Sequence, residues 1–213
     1  MVETVAVTRA ITNLNEVHEK FNLSQTDAPQ FFTEWFEGLP NINDAEKASL
    51  DRLKNRYLYY LADGAISEGT VNIIILSPLL ELLGLCDPPY KIRGEQYVQV
   101  AIEQGDTILQ GRIDALVVQN MLWIVLIEAK QYGFSVLQAL PQTLAYMMAN
   151  PNSENPVFAL IMTGEDYMFV KLNQQSHQYA RSKKFTIANP QDNELYDVVR
   201  VMKRIIDWNT ACL

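Results

Sequence analysis

The chain has little sulfur and little imidazole: two cysteines, Cys86 and Cys212, and two histidines, His18 and His177, in 213 residues. The cysteines form no CxxC pair, which excludes a conventional cysteine-rich zinc site and favours a reducing compartment. The histidines stand far apart in sequence, so a histidine-based triad or a two-histidine metal site lacks partners. Both read as surface or structural groups. No G-x-S-x-G elbow, no GxGxxG after a strand and no GxxxxGK[ST] phosphate loop is present, so neither ATP-driven translocation nor a nucleotide cofactor is expected. The longest apolar runs, VNIIILSPLLELLGL and ALVVQNMLWIVLI, are interrupted by polar residues or proline and are too short to span a bilayer. MVETVAVTRAITNL at the N-terminus has no basic stretch leading into a long apolar one. No secretory signal is read there, and a soluble cytoplasmic protein with no membrane partner is expected. Positive charge is scarce too. Lys and Arg number 17 against 25 Asp and Glu, a net charge of −8, and the pI is about 4.8. That speaks against a general nucleic-acid coat protein. It leaves room for a nucleic-acid enzyme, whose metal-binding carboxylates are negative and whose basic surface can be local.

What the chain does have is a core. Apolar residues make up 48% of it, enough for one well-packed domain over 1–213. Within it the pattern reads as an N-terminal helical extension (1–64), a central core (65–175) and a C-terminal loop and helix (176–213). PQFFTEWFEGLP has aromatic residues at helical spacing, closed by Gly38 and Pro40. NINDAEKASLDRLKNRYLYYLADG predicts a helix, with Asn43 and Glu46 as a capping box and Gly64 at its end. SEGTVNIIILSPLLELLGL predicts a second helical segment, broken or kinked at Pro78. From Tyr97 the period changes to that of strands. Three are expected, with turns at 103–106 and near Asn120. FSVLQALPQTLAYMMAN then reads as a helix, with a start near Leu140, a kink at Pro141, or an earlier cap from Ser135 and Gln138 all compatible with it. NPVFALIMTGEDYMFVKLN reads as a hairpin around Gly164 and Asp166. ELYDVVRVMKRIIDW reads as an amphipathic helix whose stripe is core, or else a surface for a partner. The expected fold is α/β, a mixed sheet with flanking helices.

The strands GRIDALVVQNMLWIVLIEAKQ carry charge inside oily segments. Side chains alternate across a strand, so Glu128 and Lys130 share a face, and Arg112 and Asp114 share one on the strand before. A short turn near Asn120 places Asp114 opposite or diagonal to Glu128. Two carboxylates so placed repel, and a divalent cation between them turns the penalty into binding energy, because hard Mg²⁺ prefers oxygen ligands. Lys130 would then hold, or help deprotonate, a water attacking a phosphate. Read alone, EAK is a triplet expected about once by chance in a chain of this length, and a strand Asp near a strand Lys is often an ordinary ion pair. Its surroundings raise its weight. In the next helix Gln142 and Tyr146 lie four apart on one face, although Tyr146 could equally be packing and Gln142 solvated.

Asp114, Glu128-Ala129-Lys130 and Gln142-x-x-x-Tyr146 together resemble the PD-(D/E)XK nuclease superfamily. More narrowly they resemble the nuclease domain at the N-terminus of type I restriction enzyme motor subunits and related RecB-like nucleases, over about residues 65–175. The resemblance implies a restriction-endonuclease-like mixed sheet and Mg²⁺-dependent hydrolysis of DNA, with Mn²⁺ as a substitute ion. It implies metal held by Asp114, Glu128 and the Ala129 carbonyl, Lys130 as the catalytic lysine, and substrate handling by Gln142 and Tyr146. Glu68 matches the acidic residue of the family's first core helix, and reads equally well as a dipole-favoured residue in a first helical turn. Ile113 stands where the nominal proline would precede Asp114. Nucleic-acid contacts would fall on Arg112, Gln142, Tyr146 and, in the basic cluster RSKKF (181–185), on Lys183 and Lys184. Partners implied are DNA and either a second copy of the chain or a restriction or helicase subunit. The rival reading is a catalytically silent nuclease fold serving as a DNA-binding or assembly subunit, motivated by the acidic balance and the lack of an obvious basic groove.

Overall fold

The structure, a computed structural model, describes residues 3–102, 107–119 and 122–211. In chain order these form β1 (Glu3–Ala6), α1 (Val7–Ala10), α2 (Leu14–Phe21), β2 (Ser24–Gln25), α3 (Asp44–Leu61), α4 (Glu68–Val71) and α5 (Ser77–Leu82). There follow β3 (Tyr90–Ala101), β4 (Thr107–Gln119), β5 (Leu122–Ala129), α6 (Val136–Met147), β6 (Val157–Met162), β7 (Asp166–Asn173), β8 (Gln178–Thr186) and α7 (Leu195–Ala211). The strands make one mixed eight-stranded sheet in the order β1-β4-β5-β6-β7-β8-β2, with β3 also paired to β4. This is the α/β architecture the sequence predicts. The turns expected at 103–106 and near Asn120 lie outside the described residues, but the strands they join pair antiparallel. No helix among the described residues is long and apolar enough to cross a membrane.

Alternation explains how the sheet holds two cores. On β6, Phe158, Leu160 and Met162 pack toward α3, α5 and α7, while Val157, Ala159 and Ile161 pack toward α1, α2 and α6. On β5, Val125, Ile127 and Ala129 join the first cluster and Leu126 the second. A strand buried on both faces has to be apolar throughout, which is why VFALIM has no polar residue. Glu128 follows Leu126 on the α6 side. It is the residue that breaks this rule.

One helical expectation needs correction, and of the break or kink expected at Pro78 a distortion without a break is what is found. PQFFTEWFEGLP is not a helix; it has isolated turns, Phe31 N to Ala28 O and Phe36 N to Thr33 O. Pro29 and Pro40 confine it to a stretch too short to sustain a helix alone. Phe32 is buried and Phe31 and Trp35 pack partly against the core, while Phe36 stays exposed; a tertiary anchor holds the stretch instead. Lys171 Nζ on β7 donates to Glu34 Oε1 at 2.6 Å and lies 5.5–5.9 Å from the rings of Phe31, Phe158 and Trp208, a cation–π setting. The second helical segment does not stop at Pro78. It passes from α4 into α5 through a π-helical turn, Asn72–Leu76. Pro78 supplies no N–H to Ile74 O, and the wider turn relieves the ring's clash with that carbonyl. Arg56 Nη1 donates to Ile74 O instead, at 3.2 Å.

The segment 1–64 is not a purely helical extension, since its β1 pairs with β4 and its β2 with β8, and the first long strand begins at Tyr90, ahead of the expected Tyr97; two further expectations stand. Asn43 and Glu46 form a reciprocal capping box on α3, and the apolar stripe of α7 is core. The loop expected to open the C-terminal segment 176–213 is instead largely a strand, since RSKKF lies in β8, which pairs along β7. Each histidine makes a structural bond: His18 Nε2 with Tyr179 Oη at 3.0 Å, and His177 Nδ1 with Phe21 O at 3.0 Å.

Candidate active site

The site lies where β4 and β5 part. Their pairing runs from Gln119↔Leu122 to Ala115↔Ile127, and one step further Asp114 comes opposite Glu128. There the Ala129 N–H donates to Asp114 Oδ2 at 2.8 Å, so a side-chain carboxylate takes the place of a ladder carbonyl. On its other edge β5 continues along β6, with Lys130 N bonded to Met162 O at 2.8 Å. Asp114 thus ends one pairing while β5 stays bonded to β6, and charge lines the place where the strands part.

Lys130 Nζ is 2.7 Å from Glu128 Oε1 and 4.0 Å from Asp114 Oδ2. The Glu128 side chain is 1% exposed, Asp114 13% and Lys130 16%. Gln142, on α6, donates one amide hydrogen to Glu128 Oε1 at 3.1 Å and the other to Tyr146 Oη at 2.8 Å. Glu128 Oε1 therefore has two donors, whereas Glu128 Oε2 is buried with no hydrogen-bond partner. α6 is capped by Ser135, whose Oγ accepts from Leu137 N. The earlier cap is the one used, and Pro141 is accommodated inside the helix. The four-residue spacing then brings Gln142 and Tyr146 to the same carboxylate.

The field in this pocket favours protons. Burial pushes Asp114 up to about 6, against the lowering effects of Lys130 and the Ala129 amide. Burial, followed by the Asp114 charge, pushes Glu128 up to about 8 although Lys130 opposes it. Burial alone would lower Lys130, but Glu128, Asp114 and Glu68 outweigh it and hold the ammonium above its usual value. Burial and then Glu128 raise the Tyr146 phenol, with Gln142 opposing. A buried like-charge pair of this kind is costly without a counter-ion.

The structure brings Asp114, Glu128, Ala129, Lys130, Gln142 and Tyr146 together. Glu68 is the first residue of α4, a helix capped by Ser67. Its charge acts on Asp114, Glu128 and Lys130, so the dipole position and the proximity to the site both hold. Among the described residues no group of three His, Cys, Asp or Glu side chains is arranged to hold a metal ion. The inner set is two carboxylates, with Glu68 contributing from farther off. Their oxygen chemistry and the orphaned Glu128 Oε2 suit a hard divalent cation. The Arg112 side chain is 67% exposed, with Glu95 at 4.0 Å. Glu95 also raises Asp114, and sequence reading passed over it. Only the β3–β4 register, with Gly94↔Ala115 and Gln96↔Ile113, brings it alongside Asp114. Lys183 and Lys184 lie elsewhere, on β8, beyond β6 and β7 from the carboxylates. They are paired with Glu194 at 2.7 Å and Asp166 at 2.9 Å.

No protein-family model and no curated protein matches the sequence. Among solved structures the chain is similar to a fragment described as the HsdR subunit of a type I restriction enzyme from Vibrio vulnificus, at 18% identity and a TM-score of 0.41. That likeness covers 62% of this chain and 25% of the other, so the chain spans about a quarter of its neighbour's length. At this level of similarity the reading of the site rests on its own geometry.

Proposed function

We propose that this chain is a Mg²⁺-dependent DNA endonuclease, acting alone or as the nuclease subunit of a larger restriction-type assembly. The observation that carries the reading is the buried, unpartnered Glu128 Oε2 in a pocket it shares with the Asp114 carboxylate. Asp114 and Glu128, with the Ala129 carbonyl, would hold the ion; Glu68 would add charge from outside. When bound, the ion supplies Lewis-acid charge at the scissile phosphate. Lys130, 2.7 Å from Glu128 Oε1 and 4.0 Å from Asp114 Oδ2, would hold the attacking water or a phosphate oxygen in place, or help take up the water's proton. In the hydrolysis a water oxygen forms a bond to phosphorus and the bond from phosphorus to the leaving oxygen breaks. That oxygen is protonated, and the remaining proton passes to solvent. Gln142 and Tyr146 turn inward to Glu128, and Arg112 is the exposed cation on the same strand as Asp114, available to a phosphate.

One observation favours the alternative of a catalytically silent DNA-binding or assembly subunit. Lys130, at 2.7 Å, already supplies Glu128 with a cation of its own. Calorimetric titration of Mn²⁺ and Mg²⁺ into wild type and Asp114→Asn separates the two. Binding by wild type that the substitution abolishes is expected, together with cleavage of DNA lost in Lys130→Ala. Binding by neither protein favours the silent subunit. Equal cleavage by wild type and Lys130→Ala overturns the catalytic assignment. An RNA strand of the same sequence, run alongside, shows which nucleic acid is cut.

A further inference from the structure

Gly111 stands on β4, three residues before Asp114. Its backbone is not left-handed, so the conformation alone would admit alanine and any need for glycine there is steric. A Cβ at this position would lie 2.5 Å from Cε1 of Tyr146, 2.7 Å from its Oη and 3.0 Å from its Cζ. Carbon atoms in contact sit about 3.5–4.0 Å apart, so the ring would have to retreat by about 1 Å. It has little room to do so. Tyr146 is 2% exposed, and its Oη is held 2.8 Å from Gln142 Nε2. The phenol is rigid, and its Oη moves with the ring.

Tyr146 Oη accepts from Gln142 Nε2, whose second hydrogen goes to Glu128 Oε1. Lys130 Nζ holds that same oxygen. Two donors on Oε1 leave Oε2 as the oxygen with open lone pairs. We propose that Gly111 is a positioning residue of the site: the missing side chain lets Tyr146 seat against β4, and through Gln142 that seat decides which oxygen of Glu128 is presented. Its value to catalysis rests on the nuclease reading, but the geometry can be tested without any activity.

The probe is the Gln142 side-chain amide in ¹H–¹⁵N spectra of the metal-free protein. In wild type it is held between Glu128 and Tyr146 and is expected to exchange slowly with solvent. Gly111→Ala is expected to displace its signal and speed its exchange at least tenfold, and Tyr146→Phe, which lacks Oη, to do the same. Gly111→Ala/Tyr146→Leu should recover the thermal stability lost in Gly111→Ala but not the slow exchange. An unchanged Gln142 signal in Gly111→Ala overturns the proposal. If Gly111→Ala fails to fold, the double variant decides: folding with a fast-exchanging amide supports the chain of contacts, and failure to fold overturns it. In a cleavage assay, Gly111→Ala should lower kcat at least tenfold with KM within twofold. Wild type that does not cut, with the amide displaced as expected, sinks the nuclease reading and leaves the positioning role standing. Wild type and Gly111→Ala cutting equally well would overturn the positioning role.

Discussion

Replacing Glu128 with glutamine keeps the side chain's shape and removes its charge, and the pocket fixes the sign of the result. Burial, then Asp114, raises the folded carboxyl from 4.5 to about 8. A group raised in this way contributes stability that is complete below its unfolded pKa and is lost as pH climbs through its folded pKa. Its window therefore runs from about pH 4.5 to about pH 8. One unit corresponds to about 1.4 kcal/mol, so the full interval sets an upper bound of about 5 kcal/mol. Asp114 and Lys130 titrate with Glu128 as a coupled set, and the effective dielectric of such sites is nearer about 20 than 4. Both considerations bring the expected effect to about 2 kcal/mol. The metal-free Glu128→Gln variant should thus be more stable than wild type by about 2 kcal/mol at pH 8, and close to it at pH 5. In a chain of this size that is roughly 4–8 °C in Tm. Differential scanning calorimetry in EDTA at the two pH values reads the gap, and added Mg²⁺ at pH 8 should raise wild type more than the variant. A variant less stable than wild type at pH 8 would refute the reasoning, because the Lys130–Glu128 pair would then be net stabilising. A gap of equal size at both pH values would also refute it, since packing and not charge would be its source.

The Lys171–Glu34 pair is buried among aromatic rings, so removing one partner strands the other: Glu34→Gln should cost about 3 kcal/mol in urea unfolding, and a cost under about 0.5 kcal/mol would show that the pair is not what holds residues 29–40. Arg56→Ala leaves Ile74 O without its donor and should cost about 1 kcal/mol; in the Pro78→Ala background, where residue 78 regains an N–H, the same substitution should cost much less, and an unchanged cost would refute the link between Pro78 and Arg56.

The parts of the site legible in the sequence were those governed by short, fixed periods. Glu128 and Lys130 share a face because strands alternate, and Gln142 and Tyr146 share one because helices repeat near four. Asp114 opposite Glu128 follows from two strands joined by a short connection. Glu95 was hidden because its neighbourhood depends on the register of β3 against β4, which the pattern YVQVAI does not fix. Glu34 was hidden for a stronger reason: its partner Lys171 is 137 residues away, and in sequence it sits inside an aromatic run that mimics a helix. β8 was read as a loop because RSKKF shows charge where Ser182 and Phe185 turn inward and Arg181, Lys183 and Lys184 outward. That pattern, whose period is broken by a bulge against β7 between Met168 and Val170, has meaning only once β7 is in place.

All of the inner site, from Gly111 to Tyr146, lies in one unbroken stretch: a pair of strands and the helix that follows. Contacts so close in sequence cost little loop entropy to close, and local pairings form early when a chain folds. The strap anchored by Glu34 and Lys171 closes over most of the chain's length and has to wait for β7. The carboxylates and the helix that serves them can therefore meet across short connections, while the groups that complete their surroundings, Glu68, Glu95 and β6, are recruited from outside residues 111–146.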